Sequence, residues 1–196
     1  MITIRIAQEA DADALPDIEQ SAGEAYREIA ELAWIADDDN QTIERHRELV
    51  AKGTCWVAVE QDDGPVAFLS AEIQDDTLHI WELAVRLERQ RSGIGRALLE
   101  NAITNAKERH VAAITLTTFR DVNWNAPFYR TLGFLMLDDA QTGERLRQVL
   151  LREVEHGMPA SRRCAMRLPL KSNASIAAAG RDAARNASFR THLIFD

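Results

Sequence analysis

The chain has 196 residues, 46% hydrophobic and 28% charged, with a formal net charge of −8 at pH 7; this composition is globular, and the length suits one domain with a full core. No apolar run approaches the roughly 20 residues that span a bilayer, and Met1-Ile2-Thr3-Ile4-Arg5 lacks the charged and apolar regions of a signal peptide, so a cytoplasmic protein without a membrane partner is expected. The acidic balance argues against a nucleic-acid partner and favours a cationic or neutral one. Cys55 and Cys164 lie outside any C-x-x-C pair and read as small hydrophobes kept reduced, and the histidines (His46, His79, His110, His156, His192) show no metal-ligand spacing, so no metal site is expected.

In chain order, Ile2, Ile4 and Ile6 alternate with Thr3 and Arg5 and predict a first strand. From about Asp11 to Trp34 the apolar positions Leu15, Ile18, Ala22, Tyr26, Ile29, Ala30 and Ala33 predict two helices broken near Gly23. A polar loop at Asp37 to Asn40 precedes a short helix from Gln41 to Ala51, closed by Gly53. Strands follow at Cys55 to Glu60, Val66 to Ile73 and Thr77 to Val85, separated by the turn signals Asp62-Asp63-Gly64-Pro65 and Gln74-Asp75-Asp76. Ile94, Ala97, Leu98, Ala102, Ile103 and Ala106 make one face of a helix running to about Glu108. Then come a strand at Val111 to Thr117, a short helix from Asn125 to Leu132 ended by Gly133, a strand at Phe134 to Leu137, a helix from Thr142 to Glu155 and a last strand at Cys164 to Leu170. Antiparallel hairpins before Gln90 and strand-helix-strand crossovers after it imply a mixed α/β sheet with helices on both faces. Residues 1–170 read as one domain. Residues 171–196, rich in Ala, Ser, Asn and Arg, read as an appended tail, or as an arm packing on a neighbouring subunit in a homodimer.

The junction Leu83-Ala84-Val85 through Gln90-Arg91-Ser92-Gly93-Ile94-Gly95-Arg96 joins an apolar strand to an amphipathic helix through two glycines. Unpaired amides and the positive end of the helix dipole suit such a loop to an anion, and Arg91 and Arg96 add charge. It is not a dinucleotide fingerprint, because Leu98 stands where the third glycine of G-x-G-x-x-G belongs, nor a P-loop, because no Lys-Ser or Lys-Thr follows Gly95. An ordinary strand-to-helix turn is the plainer account.

Gln90-x-x-Gly93-x-Gly95 after that strand resembles the acetyl-CoA pyrophosphate loop of the GNAT superfamily of N-acetyltransferases. Asn125-Ala126-Pro127-Phe128-Tyr129-Arg130-Thr131-Leu132-Gly133-Phe134 resembles the superfamily's short helix and Phe-Tyr-x-x-x-Gly-Phe element, in the same order along the chain. The resemblance covers roughly residues 1–170. It implies a GNAT-like α/β (α+β) fold: a mixed, mostly antiparallel twisted sheet of about seven strands flanked by helices. It further implies acetyl-CoA as acyl donor and direct transfer, within a ternary complex, to a small amine, an amino acid derivative or a peptide amino group. A non-catalytic acyl-CoA sensor, or a transferase using another acyl-CoA, would share these motifs.

By the same resemblance, Gln90, Arg91, Ser92, Gly93, Ile94, Gly95 and Arg96 would hold the pyrophosphate. The main chain of Leu83, Ala84 and Val85 would pair with pantetheine and polarise the thioester carbonyl, and Asn125 and Phe128 would contact the cofactor. Tyr129 would protonate the leaving thiolate, with core packing as its alternative. Asn125 lies four residues before the tyrosine rather than the commoner seven, which leaves a simple helix N-cap open to it. A base must take a proton from the acceptor ammonium. His79, read as in phase with Trp81, Leu83 and Val85, and Glu82, read as pointing to the opposite face, are the candidates, each also readable as a structural strand residue. Glu24, Glu28, Glu31, Asp37, Asp38 and Trp34 are candidate acceptor contacts or a solvated acidic face.

Overall fold

The computed structural model describes residues 1–61 and 64–170. The expected turn at Asp62 and Asp63 and the tail 171–196 lie outside the described residues.

Seven strands form one sheet: β1 (Ile2–Ile6), β2 (Cys55–Glu60), β3 (Gly64–Gln74), β4 (Thr77–Val85), β5 (Ala113–Phe119), β6 (Leu135–Met136) and β7 (Arg163–Pro169), in spatial order β1-β2-β3-β4-β5-β7-β6. Among the described strands, only β4 and β5 run parallel; β7 inserts between β5 and β6 antiparallel to both, so the later connections there produce a single parallel pair rather than a series. Among the described residues, five α-helices accompany the sheet: α1 (Leu15–Gly23), α2 (Ile43–Ala51), α3 (Ile94–Glu108), α4 (Ala126–Arg130) and α5 (Glu144–Glu155). Ile94, Leu98, Leu99, Ala102 and Ala106 bury the inner stripe of α3 against Leu69, Leu78, Ile80 and Ile114 on one sheet face. Leu15 and Ile18 of α1 pack with Val57, Phe68 and Ala84 on the other.

Two expectations are corrected by local physics. The second N-terminal helix is absent. Gly23 ends α1 in helical geometry, and Glu24–Glu28 and Ala30–Asp37 form 3-10 turns separated by extended Ile29. Tyr26, Ile29, Leu32 and Ile35 recur every third residue, the spacing that eclipses side chains in a 3-10 turn, and they share one cluster with Phe119 and Val122. β5 starts at Ala113 rather than Val111 because the end of α3 claims the intervening residues. His110 is left-handed (φ 57°), and the amides of His110 and Val111 reach back to Lys107 O at 3.0 Å and Ala106 O at 2.9 Å, a Schellman cap.

The β3–β4 ladder carries a bulge. Ser70 faces Glu82 and Ala71 faces Ile80, which leaves Trp81 as an extra residue on β4. Leu78 and Ile80 point into the α3-side core, as do Leu83 and Val85 three residues on, whereas Ala84 points to α1.

Candidate active site

β4 and β5 pair only over Thr77–His79 with Ala113–Thr115. Beyond that point the β5-facing edge of β4 is left without a strand, and Trp81, Glu82, Leu83 and Val85 line one wall of a cleft of ≈ 1130 Å³ whose opposite wall includes Thr117, Thr118 and Phe119. An extended ligand can complete such an edge as an added strand.

At the outer end of this edge, β4 gives way to the glycine loop and α3. The first main-chain bond of α3 runs from Ala97 N to Gly93 O at 3.0 Å. Among the described residues, the amides from Arg91 to Arg96 donate to no protein group. Arg91 (φ 60°) and Gly93 (φ 89°) are left-handed, which curves this row of donors into an anion nest at the positive end of a 15-residue helix. A Cβ on Gly93 would meet no atom within 4 Å, so the loop faces open space rather than protein. The Gln90 amide group donates to Val85 O (3.1 Å) and Ala22 O (3.5 Å), and the Leu87 amide donates to Ser21 Oγ (3.0 Å); these bonds tie the loop to α1 and to the end of β4. These residues fit a pyrophosphate joined to an extended arm.

The inner part of the cleft is acidic and aromatic. Glu82 stands at its wall, half-buried. Burial first, then the Glu19 carboxylate, push its carboxyl up to about 8, with Glu153 adding to the rise and the Leu83 main chain and Arg163 opposing it. Tyr129 is buried in α4 against Phe128 and Phe134, and its hydroxyl makes no hydrogen bond to a protein group among the described residues. Burial, then Glu82 and Tyr26, hold that phenol above its ordinary range. Arg163 is clamped by both oxygens of Glu153 (2.7 and 2.9 Å) and lies over the Phe119 ring at 4.6 Å.

A family model described as the acetyltransferase (GNAT) family matches residues 15–134, the span that holds α1, the cleft edge, the nest and α4. The chain belongs to this family. A Bacillus subtilis (strain 168) protein named uncharacterized N-acetyltransferase YvbK is 24% identical over 57% of this chain and 70% of its own length. Among solved structures, PaiA N-acetyltransferase from Thermoplasma acidophilum in complex with coenzyme A superposes with TM-score 0.64 at 16% identity, over 87% of this chain and 99% of that one. The ribosomal-protein-S18-alanine N-acetyltransferase of Escherichia coli gives TM-score 0.60 at 19% identity, over 88% and 97% of the two chains.

Seen as a GNAT cleft, the site gathers Glu82, Leu83, Val85, Gln90, Arg91, Gly93, Ile94, Gly95, Arg96, Asn125, Phe128 and Tyr129, and leaves out three expected residues. Ala84 is turned into the α1-side core by strand alternation. The Ser92 hydroxyl bonds back to Arg89 O at 2.5 Å. His79 is fully buried outside the cleft, its Nδ1 3.1 Å from Thr115 Oγ1, and burial with Arg145 nearby lowers its pKa to about 3. The bulge is the cause. It reverses the alternation of β4, so His79, flanked by the core-facing Leu78 and Ile80, is out of phase with Leu83 and Val85. Glu82 correspondingly faces the α1 side, beside Glu19.

Asn125 makes no side-chain cap bond. Its Oδ1 accepts from Thr118 Oγ1 at 2.8 Å and its Nδ2 donates to Tyr26 Oη at 3.1 Å, which joins β5 to the 3-10 turn Glu24–Glu28. Arg96 donates to Thr131 Oγ1 at 2.7 Å and lies 6.0 Å from the Phe128 ring, joining α3 to α4. Most of the acidic residues of the front segment are held in ion pairs: Glu24 and Asp37 with Arg27, Glu31 with Arg162, Asp38 with His156. Trp34 packs beside His156 and Gly157. Sequence reading missed Glu19, Tyr26, Glu153 and Arg163. No local signal marks them, because each comes from a different element.

Proposed function

We propose that this protein is an N-acetyltransferase that moves the acetyl group of acetyl-CoA directly to a primary amine within a ternary complex. The observation that carries the reading is the continuity of an unpaired β4 edge with the amide nest at the start of α3, which together offer hydrogen bonds to a pantetheine-like arm and its pyrophosphate. The Acetyltransferase (GNAT) match and the CoA named in the Thermoplasma acidophilum complex support the same donor.

When bound, acetyl-CoA supplies a thioester carbonyl as electrophile. Main-chain amides along the free β4 edge, at Leu83 or Val85, polarise that carbonyl. Glu82 takes the proton from the acceptor ammonium, a role suited to a carboxyl whose affinity for protons is raised towards that of the amine. Tyr129, otherwise unengaged at its hydroxyl, gives a proton to the departing thiolate. Arg163, neutralised by Glu153, leaves the inner cleft with no unpaired cation among its described lining residues, which favours an amine over an acidic acceptor. Two buried, unbridged cysteines agree with a cytoplasmic location. No helix among the described residues is long and apolar enough to cross a membrane.

The test is calorimetric titration with acetyl-CoA, followed by thiol release with a panel of aliphatic amines, amino acids and peptide N-termini. Binding with amine-dependent release is the expected result. Binding without release from any acceptor supports the acyl-CoA sensor instead, and absence of binding overturns the assignment.

A further inference from the structure

Behind Glu82 lies a group of buried polar side chains that the mechanism above does not use. His46 of α2 is 0% exposed, and neither ring nitrogen has a hydrogen-bond partner. Its Nε2 lies 3.3 Å from Oε2 of Glu19, a buried oxygen that likewise lacks one. Ser70, opposite Glu82 in the β3–β4 ladder and also 0% exposed, keeps its hydroxyl unpartnered. Ser70 lies on the face of β3 that carries Phe68, whose ring packs edge-on against His46 at 5.3 Å. A buried imidazole that forms no bond is costly and could be replaced by an apolar ring without loss, so its presence beside a carboxylate calls for a reason other than packing. Glu19 provides the connection. It lines the same cleft as Glu82, and of all charged groups it acts most strongly on Glu82.

We propose that Glu19 and His46 form a positioning pair that takes on the proton Glu82 removes from the acceptor ammonium, which returns Glu82 to its carboxylate form before the thioester is cleaved. This rests on Glu82 being the base. The steps balance. The ammonium N–H breaks and Glu82 gains the proton, which passes through the cleft to the Glu19 carboxylate, where it is shared with His46 Nε2. The freed lone pair of the amine attacks the carbonyl carbon. When the C–S bond breaks, Tyr129 protonates the thiolate and is itself restored by the second proton that nitrogen gives up. The proton held by the pair leaves to solvent with the product, so one proton is released for each acetyl group transferred. The titratable and charged groups that act on Glu82 are Glu19 from α1, Tyr26 from the 3-10 turn Glu24–Glu28, Tyr129 from α4, Glu153 from α5 and Arg163 from β7; Glu19 faces His46.

The experiment compares Glu19→Gln, His46→Gln, the double variant and Glu82→Gln in the full chain, reading acetyl-CoA affinity, amine KM, and kcat against pH. If the pair takes the proton, both single variants keep acetyl-CoA affinity and amine KM within about twofold and lose about tenfold in kcat, a modest share of what acid-base groups contribute. The double variant is no slower than the slower single one, because the two act as a unit. In Glu19→Gln the acidic limb of the profile moves to lower pH, since a like charge beside Glu82 is gone. Wild-type kcat and an unmoved limb in Glu19→Gln overturn the proposal, as does a loss confined to acetyl-CoA affinity or thermal stability. Should His46→Gln fail to fold, Glu19→Gln decides by itself. An inactive Glu82→Gln beside wild-type-like pair variants sinks only the pair, while an active Glu82→Gln sinks the base assignment and the pair together.

Discussion

The two halves of the cleft are built in opposite ways. The outer half, which we propose takes the donor, is one unbroken stretch of chain, β4 through the glycine loop into α3, and it presents main-chain atoms: a free strand edge and the amides of Arg91 to Arg96. The inner half, which we propose takes the acceptor, is assembled from α1, the 3-10 turns, β4, α4, α5 and β7, and it presents side chains: Glu19, Tyr26, Glu82, Tyr129, Glu153 and Arg163. A main-chain site depends on conformation and so constrains sequence only where a residue must be small or left-handed. A side-chain site constrains chemistry at scattered positions. The first kind can be read from a short pattern, and the second appears only after the chain is folded.

The largest expected effect comes from breaking the donor half at its conformational hinge. Gly93→Glu puts a side chain on a left-handed residue and a negative charge in the nest, and acetyl-CoA affinity by calorimetry should fall at least about 100-fold. Retained affinity would remove the loop from the site. Next is Glu82→Gln, which should lower kcat about 100-fold while donor affinity stays near wild type. Its carboxyl also carries a stability signature. A carboxyl whose folded pKa is raised to about 8 stabilises the fold below its unfolded value, and this contribution is lost as pH rises through about 8. The melting temperature of Glu82→Gln relative to wild type should therefore climb between pH 5 and pH 9, and a gap constant with pH would contradict the raised value. In the wild type the same titration should make kcat/KM rise with pH towards a plateau above about 8.

Tyr129→Phe sharpens the comparison from the other side. Turnover should drop about tenfold or more with little change in donor affinity, and unchanged turnover would return Tyr129 to a core residue beside Phe134. The smallest effect belongs to His79→Asn. Loss of the Thr115 contact should cost about 1–2 kcal/mol in chemical denaturation, yet the pH profile of kcat should not move, since the ring lies outside the cleft.

The same contrast explains what could be read beforehand. The strand at Ile2–Ile6 follows from alternation, those at Cys55–Glu60 and Thr77–Val85 from the turn signals beside them, and the extent of α3 from one apolar stripe, all of them local properties. The nest was legible because Gly93 and Gly95 mark it. The 3-10 turns were misread as helix although Tyr26, Ile29, Leu32 and Ile35 repeat every third residue, since a period of three and one of 3.6 differ little over so short a run. The phase of His79 was misread because a bulge at Trp81 leaves no mark in composition. Asn125, which suits an N-cap by type, is instead spent on Thr118 and Tyr26, partners that only tertiary structure supplies.

The extra residue at Trp81 works as a phase setting for the strand. With it, the polar His79 lies away from the α3-side core; drawing Trp81 into a regular ladder, with no residue changed, would turn every upstream side chain of β4 to the other face, whereas deleting Trp81 would leave the faces as they are. The faces presented by the two halves of β4 are therefore set by the bulge and not by residue count, and comparison between relatives along β4 has to be counted outward from the bulge rather than from either end of the strand.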